Sequence, residues 1–569
     1  MFDIFYKKNN NSTLFKHLEK NNFNNIQNYI PIYSRFFSLD EHNYDKINLN
    51  HRYIANKIIN RENNNLFKIK CFDSKTETYQ HYNSFFKFSP LLDPIKFMVG
   101  KYKHMDNDKL CALPKISENI CCKKVLDVNN SAYVDSFFSY LSSKLYNECG
   151  FIHSADFYGS FLAIQNEFQL NIFDDIEYLY DSPFFHKNKN ILFNVDDIDE
   201  DKILESETRN YRKKLHLNKD ADDVNLQVDV IDNNIYDNIF ELTTENVREH
   251  NNIILEEEYS VKLDNNNNKS AKKTNSTCSS RSSNTDNEIN SEYSESIDSD
   301  ITNSQISDYS SMDSEEIVNG TIFNFPVQII CLEKLDNTLD SLLEDEDANI
   351  TKREWKSCLF QIIMILITYQ KIFNFTHNDL HTNNVMYVKT DKKFINYKYN
   401  NVYYRVPTFG KIYKIIDFGR AIYEFKGKTI CSDSYHPKGD AATQYNFEPY
   451  FNENKPRLEP NKSFDLCRLG CSLYDFFVED VRDEKKIKNP IAKLIIEWTK
   501  DDKGRNILYK NNGEERYPDF KLYKMIVRTV HNHTPDNQLN RELFSCYISS
   551  KKKIKKGKII NIDLMNSLC

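Results

Sequence analysis

Residues 376–386 read THNDLHTNNVM, and residues 414–421 read KIIDFGRA. Asp379 and Asn384 lie five residues apart in the first segment, and Asp417 begins an Asp-Phe-Gly turn in the second. Phosphoryl transfer needs these residue types, because one carboxylate orients the acceptor hydroxyl while a second carboxylate and an amide oxygen hold Mg²⁺ against the phosphates. The two segments therefore predict a phosphoryl-transfer active site.

The sequence on either side of these segments predicts buried helices. Thr351 and Glu354 have the spacing of a capping box, and they precede an apolar run over residues 359–367. This run has under half of the roughly 20 residues that a membrane span requires, so we expect no transmembrane segment and no membrane partner. Downstream, residues 463–475 (SFDLCRLGCSLYD) favour a second helix, which carries Asp465.

These segments, in this order, resemble the protein-kinase-like superfamily. Residues 376–384 are similar to its catalytic loop and residues 414–421 to its Asp-Phe-Gly segment. Residues 463–475 are similar to the central helix of its C-lobe, where an Asp at the place of Asp465 binds the catalytic-loop backbone. The resemblance implies an α+β, bilobal fold with a mainly helical C-lobe, and ATP and Mg²⁺ as cofactors bound between the lobes.

The resemblance also implies roles for the residues of the catalytic loop. Asp379 acts on the proton of the attacking hydroxyl, while Asn384 and Asp417 hold Mg²⁺. Met386 packs under the adenine ring. His381 stands where most protein Ser/Thr kinases carry a Lys that contacts phosphate, as it does in small-molecule phosphotransferases and haspin-like kinases. A His at this place implies a weaker contact that depends on pH.

The N-lobe is predicted to be divergent. Residues 66–72 and 82–88 are rich in apolar and aromatic residues, flank a polar segment, and predict a hairpin. Lys87 resembles the strand Lys of kinases that pairs with the α- and β-phosphates, although a solvent-facing Lys is the commoner feature of strands. No Gly precedes Gly100. The glycine-rich loop that brings backbone amides to the phosphates is therefore missing upstream of Lys87.

The helix predicted over residues 132–141 occupies the place of the kinase helix that donates a Glu to the strand Lys. It offers only Asp135, near its start. Because Asp is shorter than Glu, we interpret Asp135 as an acidic residue favoured by the helix dipole rather than as the partner of Lys87.

An apolar strand predicted over residues 325–335 ends in a short polar step. This segment resembles the kinase hinge, which implies that Leu332 is the gatekeeper and that Glu333 and Leu335 offer backbone groups to the adenine of ATP. Strand-to-loop transitions are common, so the interpretation depends on the position of the strand before the catalytic helix.

Composition suggests how the chain of 569 residues is organised. Residues 265–316 are rich in Asn, Ser and acidic residues with almost no aliphatic ones, which predicts disorder. The predicted segments are an N-terminal extension of irregular, partly helical structure at 1–53, an N-lobe at 54–335 that contains an insertion at 165–320, a C-lobe at 336–549, and a basic tail at 550–569.

Charge and cysteine content limit the expected partners. The net charge of −8 and the pI near 6.0 give no global basic signal, so we expect no specific nucleic-acid partner. The 13 cysteines lack a Cys-x-x-Cys spacing and no apolar signal segment begins the chain, which predicts free thiols in a reducing cytoplasm. The basic run at 551–558 favours either a solvated tail or a patch that binds polyanions. The oligomeric state stays open.

Asn378 replaces the Arg that usually precedes the catalytic Asp, so a phosphorylated activation segment lacks its usual charge partner.

Residues 394–399 and 402–406 predict an extra hairpin, as in haspin-like kinases. These features and the Asn-rich composition resemble the protein kinases predicted in large cytoplasmic DNA viruses. The resemblance implies a Ser/Thr kinase that acts on a protein substrate, in the host-cell cytoplasm or packaged in the virion.

Two other functions remain open from the sequence. A catalytically weak or inactive pseudokinase that serves as a scaffold is favoured by the missing glycine-rich loop. A small-molecule phosphotransferase is favoured by the position of His381.

Overall fold

The fold is mixed α+β, as the sequence predicts. The segment 265–316, which the sequence predicts to be disordered, lies outside the described residues. The computed structural model describes residues 2–116, 121–196, 318–345, 350–554 and 558–569.

The described chain contains both strands and helices, often several of one kind in succession. The strands are β1 (Tyr6–Lys8), β2 (Phe23–Gln27), β3 (Ile47–Leu49), β4 (Tyr53–Arg61), β5 (Leu66–Asp73), β6 (Thr78–Pro90), β7 (Phe157–Asn171), β8 (Phe193–Val195), β9 (Asn319–Glu333), β10 (Asn337–Thr338), β11 (Val385–Lys389), β12 (Phe394–Tyr399), β13 (Val402–Pro407), β14 (Lys411–Ile415), β15 (Ile422–Phe425), β16 (Lys428–Cys431), β17 (Ile548–Ser549) and β18 (Ile559–Asn561). The α-helices are α1 (Ser12–Glu19), α2 (Pro94–Met98), α3 (Asn107–Leu110), α4 (Lys123–Leu126), α5 (Ser131–Cys149), α6 (Ile176–Tyr180), α7 (Pro183–Asn188), α8 (Leu339–Glu344), α9 (Lys352–Phe373), α10 (Phe464–Phe477), α11 (Pro490–Trp498), α12 (Lys521–Thr529), α13 (Pro535–Gln538) and α14 (Glu542–Ser545).

The largest sheet has the strand order β2-β7-β9-β6-β5-β4, with β8 paired to one end of β9. The hairpin that the sequence predicts is confirmed as β5 and β6, with Leu66 opposite Phe85. Residues 325–331 of β9 are all buried, as expected for a strand covered on both faces. The strand that carries Lys87 therefore lies beside the strand that ends in the predicted hinge.

Helix α5 packs between this sheet and helix α9. Its residues 132–145 are all buried, so it is a core helix rather than a surface one. The ring of Tyr140 lies 5.8 Å from that of Phe157 in β7, and the ring of Phe138 lies 5.2 Å from that of Tyr369 in α9. These contacts connect the sheet to the helices that follow it.

Helix α9 begins at the predicted capping box, which is confirmed. The Glu354 N–H donates to Thr351 Oγ1 at 3.3 Å, and the Thr351 N–H donates to the Glu354 carboxylate at 2.9 Å. The helix ends at Asn374, whose left-handed φ of 48° closes it. Its 22 residues are long and apolar enough to cross a membrane, but 83% of the most apolar window is buried inside the protein, as in a core helix.

The N-terminal stretch contributes to the large sheet. Strand β2 pairs with β7, where Phe23 lies opposite Gln165. The ring of Phe23 lies 5.1 Å from that of Phe88 in β6, within the core. The prediction of irregular structure over residues 1–53 is therefore wrong for this strand, because the strand β7 with which it pairs lies more than a hundred residues away in sequence.

The insertion predicted at 165–320 is structured at both ends. Strand β7 continues to Asn171 and β9 begins at Asn319, so the two strands extend their pairing beyond the predicted limits. Helices α6 and α7 and strand β8 then lie between β7 and residue 196.

The extra hairpin predicted after the catalytic loop is confirmed as β12 and β13. Strands β17 and β18 extend it to four strands, and β18 comes from the predicted basic tail. Ile559 of β18 lies opposite Asn396 of β12 in a parallel pair. The Leu568 N–H then donates to the carbonyl oxygen of Ile372 in α9 at 2.8 Å. Strand β18 and Leu568 are therefore packed against the protein, whereas Lys551, Lys552 and Lys553 of the basic run are exposed.

Candidate active site

The paired strands β11 and β14 bring the two predicted metal ligands to the same place. Val385 lies opposite Ile415 in this antiparallel pair. The Ile416 N–H donates to the carbonyl oxygen of Asn384 at 3.1 Å. Asn384 therefore precedes β11 at the same edge of the small sheet at which Asp417 follows β14.

Asp465 holds the backbone of the catalytic loop, as the sequence predicts. Its two carboxylate oxygens accept hydrogen bonds from the N–H groups of His377 and Asn378, each at 2.9 Å. Asp465 lies in the first turn of α10 and is fully buried. Burial raises the pKa of this carboxyl even though the two N–H groups favour its charged form. The loop that carries Asp379 is thus fixed to a core helix.

Lys87 lies between two carboxylates. Its Nζ is 2.9 Å from Asp135 Oδ2 and 2.9 Å from Asp417 Oδ1. Burial by itself lowers the pKa of Lys87, but the two carboxylates outweigh burial and hold the pKa above its ordinary value. Burial raises the pKa of Asp135. At Asp417 the positive charge of Lys87 has a larger effect than burial, so the pKa of Asp417 is lowered.

The contact between Asp135 and Lys87 overturns the interpretation of Asp135 as a residue favoured only by the helix dipole. Asp135 is 3% exposed, and its second oxygen accepts a hydrogen bond from the Phe418 N–H at 2.9 Å. A buried Lys requires a counter-charge, and Asp135 provides it from α5 although its side chain is shorter than that of Glu. Asp135 therefore connects α5 to both Lys87 and the Asp-Phe-Gly turn.

The Asp-Phe-Gly turn is fixed by its phenylalanine. Asp417 adopts a left-handed conformation with φ of 63°, which Asp tolerates better than most residues. The next residue, Phe418, is buried, and its ring centroid lies 4.6 Å from that of Phe138 in α5 and 5.7 Å from that of His377. This anchored ring holds the Asp417 carboxylate toward Lys87.

The predicted catalytic residues form one hydrogen-bonded loop. The Asn384 amide nitrogen donates to the carbonyl oxygen of Asp379 at 2.9 Å and lies 3.1 Å from His381 Nε2. The Asn384 nitrogen is engaged inside the loop, so its oxygen is the atom through which it can bind a cation. The Asp379 carboxylate accepts a hydrogen bond from the Tyr523 hydroxyl at 2.8 Å.

The surroundings of His381 favour its neutral form. Burial and the nearby Arg468 lower the pKa of this imidazole, against the opposing effect of the Asp379 carboxylate, to about 4. The sequence predicts a phosphate contact that depends on pH, but an imidazole with this pKa keeps the same charge across the neutral range. A pH dependence near neutrality is therefore not expected from His381.

Glu333, in the predicted hinge, is engaged with the rest of the fold. Its N–H donates to the carbonyl oxygen of Asp156 at 2.8 Å, and its carboxylate accepts from Lys414 Nζ at 2.6 Å. This N–H is therefore not available to adenine. Leu332 is half-buried opposite Phe85 at the end of β9.

Leu335 and Met386, two of the residues predicted to lie at the adenine, are apolar and buried. Leu335 is buried just after β9, and Met386 is buried in β11 opposite Thr338 and Lys414. Their contact with adenine stays a prediction.

The turn between β4 and β5 lies where the kinase resemblance predicts a phosphate-binding loop. Side chains of this turn form hydrogen bonds with the backbone of the turn itself. The Asn63 side-chain oxygen accepts hydrogen bonds from the N–H groups of Asn65 and Leu66, at 2.9 and 2.7 Å. Arg61 donates to the carbonyl oxygens of Asn63 and Asn64, at 3.0 and 3.1 Å. This turn lacks Gly, and its backbone amides at Asn65 and Leu66 donate to the Asn63 side chain.

Asp433 attaches the segment after the Asp-Phe-Gly turn to α5. Its carboxylate accepts from Lys124 Nζ at 2.5 Å and from the Ser131 N–H, in the first turn of α5, at 3.1 Å. Asp433 outweighs the burial of Lys124 and raises the pKa of that ammonium. A carboxylate therefore provides the link to α5 without phosphorylation.

Asn378, which replaces the usual Arg, makes a second link to the same segment. Its amide nitrogen donates to the carbonyl oxygen of Arg420 at 3.2 Å, and its oxygen accepts from the Tyr445 hydroxyl at 2.5 Å. Both contacts are between neutral groups, so they require no phosphate.

The link through Asp433 gives a testable expectation for stability. Replacing Asp433 by Asn removes the counter-charge of Lys124, so the free energy of unfolding should fall by about 1–2 kcal/mol, the size of one charge-assisted hydrogen bond at a partly exposed site. Denaturant unfolding followed by fluorescence measures this change. Asp480→Asn, which breaks an exposed pair with Arg482, should leave the unfolding free energy unchanged. An equal loss in both variants would contradict the assigned role of Asp433.

The donor set at the edge of β11 and β14 suits Mg²⁺. The Asn384 amide oxygen and the Asp417 carboxylate are hard oxygen ligands, which Mg²⁺ prefers. Within the part of the chain that the structure describes, no group of three or more His, Cys, Asp or Glu residues could hold a metal unaided. Mg²⁺ often binds through one or two protein oxygens and completes its shell with water and substrate phosphates, so the residues present fit it.

Arg468 and Tyr523 belong to the site but were missed by the sequence reasoning. Arg468 lies one helical turn after Asp465, on the same face of α10, and this spacing is a signal that could have found it. Tyr523 lies 144 residues after Asp379 and has no local signal.

No family model matches the sequence. The chain is 27% identical over 213 residues to an uncharacterized protein of Invertebrate iridescent virus 6, covering 36% of this chain and 32% of that protein. It is 34% identical over 116 residues to a probable serine/threonine-protein kinase of Dictyostelium discoideum, covering 19% of this chain and 9% of that protein. The chain thus spans about a third of the first relative and less than a tenth of the second, and part of it is similar to a probable serine/threonine-protein kinase.

Proposed function

We propose that this protein is an ATP-dependent serine/threonine kinase that transfers the γ-phosphate of Mg-ATP to a hydroxyl of a protein. The observation that carries the proposal is the position of Lys87, whose Nζ lies 2.9 Å from the carboxylates of both Asp135 and Asp417. Kinases require a strand Lys paired with a helix carboxylate and an Asp-Phe-Gly Asp in place. The partial similarity to a probable serine/threonine-protein kinase supports the same activity.

Lys87 is the residue that would bind the α- and β-phosphates, and Asp135 keeps its Nζ in position. Asn384 and Asp417 would hold Mg²⁺, which neutralises phosphate charge when bound. Leu332, Leu335 and Met386 would surround the adenine ring. With the Glu333 N–H bound to Asp156, the other backbone groups of the hinge are left to recognise adenine.

Asp379 acts on the acceptor. The hydroxyl oxygen of the acceptor attacks the γ-phosphorus, the bond from that phosphorus to the bridging oxygen of ADP breaks, and the hydroxyl proton passes to the Asp379 carboxylate. Asp465 keeps the backbone of this loop in place through the N–H groups of His377 and Asn378. The links through Asp433 and Asn378 support an activation segment that needs no phosphorylation.

Two observations favour the alternatives. The turn at residues 62–65, which binds its own amides, favours a pseudokinase with weak phosphate binding. His381 in the catalytic loop favours a small-molecule phosphotransferase.

The similarity to a protein of an iridescent virus supports a viral origin, for which we propose the host-cell cytoplasm or the virion as location.

The proposal is tested by Mg²⁺-dependent binding of ATP. At an ATP concentration about 100 times the dissociation constant, binding to the folded state alone stabilises it by about 2.7 kcal/mol. We expect Mg-ATP to raise the melting temperature by several degrees. ATP with a chelator, and Mg²⁺ without nucleotide, are the controls and should give smaller shifts. An equal melting temperature in all four conditions, including buffer alone, would contradict nucleotide binding at this site.

A further inference from the structure

A buried chain of three polar groups ends on the Asp379 carboxylate. Arg468 Nε in α10 donates to the Tyr523 hydroxyl oxygen at 2.9 Å, and that hydroxyl donates to Asp379 Oδ1 at 2.8 Å. Arg468 is fully buried, Tyr523 is 2% exposed and Asp379 is 8% exposed. These three hydrogen-bonded side chains thus connect α10, α12 and the catalytic loop in a region buried from bulk water.

The direction of the chain follows from its chemistry. A guanidinium has donors only, so the Tyr523 oxygen must accept from Arg468. Its own proton is then directed to Asp379, the one partner in the chain that can accept it. A hydroxyl that would otherwise rotate is therefore held in one orientation, and it fixes one oxygen of the carboxylate.

The surrounding contacts hold Tyr523 in place. Its ring stacks on that of Phe520 with centroids 5.3 Å apart and lies 5.8 Å from that of Phe464. The Arg468 guanidinium carbon also lies 5.3 Å from the centre of the Tyr523 ring. A cation in the core requires a nearby negative charge. Asp379, at the end of the chain, is placed to provide it.

We propose that Tyr523 is a positioning residue for Asp379 and that Arg468 orients the Tyr523 hydroxyl. This inference rests on the proposed kinase function. Tyr523 fixes the carboxylate in the orientation in which it meets the acceptor hydroxyl, and Tyr523 is not among the residues proposed to bind the nucleotide or the metal. Loss of its hydroxyl should therefore slow phosphoryl transfer and leave nucleotide binding as it is.

Tyr523→Phe is the direct test, because it removes one oxygen and keeps the ring. We expect kcat to fall on the order of tenfold, the effect of losing one hydrogen bond to a charged group, with the KM for ATP and the thermal shift by Mg-ATP unchanged. Tyr509→Phe is the matched control, since the Tyr509 hydroxyl donates to the Asp475 carboxylate at 2.9 Å outside the site. That variant should keep the kcat of wild type.

Tyr523→Phe is also introduced into the Asp379→Asn variant, because the double variant distinguishes a positioning role of Tyr523 from a merely structural one. If Tyr523 acts through the Asp379 carboxylate, Tyr523→Phe should have little further effect on the residual turnover of that variant. Arg468→Lys keeps the buried charge but moves the donor, and it should lower kcat selectively. It serves as the test if Tyr523→Phe does not fold.

Three results would overturn the inference while leaving the kinase proposal intact. The first is a kcat of Tyr523→Phe equal to that of wild type. The second is a raised kcat, which would show that Tyr523 blocks the acceptor. The third is that Tyr523→Phe lowers kcat by the same factor in wild type and in Asp379→Asn. Wild-type protein that transfers no phosphate would instead contradict the kinase proposal, and the positioning role would fall with it.

Discussion

Asp417→Asn is expected to abolish Mg²⁺-dependent stabilisation by ATP and to lower turnover by about 10³-fold. The substitution removes a negative charge and almost no volume from the place where the metal is expected. Metal ions supply several kcal/mol of charge stabilisation in such transition states, and each factor of ten corresponds to about 1.4 kcal/mol. The fold should persist, because Lys87 keeps Asp135 as a partner at 2.9 Å. Thermal shift and steady-state turnover measure the two effects.

Asp73→Asn is the matched control for this variant. Asp73 is buried in β5 and pairs with Arg52 at 3.0 Å, away from the catalytic loop. We expect this change to lower stability while leaving the response to Mg-ATP intact. An unchanged Mg-ATP shift in Asp417→Asn would show that Asp417 is not a metal ligand.

Asp379→Asn is expected to lower phosphoryl transfer by about 10²-fold or more, the range of general-base contributions. The amide keeps the size and polarity of the side chain but cannot take up the proton of the acceptor hydroxyl. ATP affinity should barely change, because Lys87, Asn384 and Asp417, the residues proposed to bind the phosphates and Mg²⁺, are retained. Turnover and ATP affinity measured on the same preparation separate the two effects.

The outcome of Asp379→Asn also distinguishes an enzyme from a pseudokinase. A pseudokinase has no turnover to lose, so any labelling by a contaminant would be equal in wild type and variant. Equal turnover in the two proteins would remove Asp379 from the mechanism. A parallel loss of ATP binding would instead show that the substitution disturbs the nucleotide site.

The sequence predicted two contacts in which side chains accept hydrogen bonds from backbone amides. The capping box of Thr351 and Glu354 was found because both partners lie within one helical turn. The contact of Asp465 with the catalytic loop was predicted from a resemblance in motif order. Both predictions concern backbone amides that a side chain must satisfy, although Asp465 lies 88 residues from His377 in sequence.

The role of Asp135 could not be judged from residue type. An Asp at this place is too short in a generic helix, and the sequence does not give the distance between α5 and β6. Packing of α5 against the sheet brings the Asp135 carboxylate to 2.9 Å from Lys87 Nζ. An Asp at this place is therefore long enough to pair with Lys87.

Long-range pairings were the main features that the sequence could not predict. Strand β2 meets β7 across more than a hundred residues, and Tyr523 meets Asp379 across 144 residues. Neither partner has a local pattern that requires the other, because a strand edge or a buried hydroxyl can be satisfied in many ways. The apolar face of α12 indicates burial but does not identify what the Tyr523 hydroxyl contacts.

Transfer of label from ATP labelled at the γ-phosphate to protein acceptors tests the kinase proposal most directly. Wild type and Asp379→Asn are incubated side by side with Mg²⁺, a panel of proteins, and a panel of sugars and aminoglycosides, followed by analysis of the labelled amino acids. The proposal predicts label on Ser or Thr of a protein, dependent on Mg²⁺ and strongly reduced in the variant. Equal labelling by the two proteins, or label confined to a small-molecule acceptor, would contradict it.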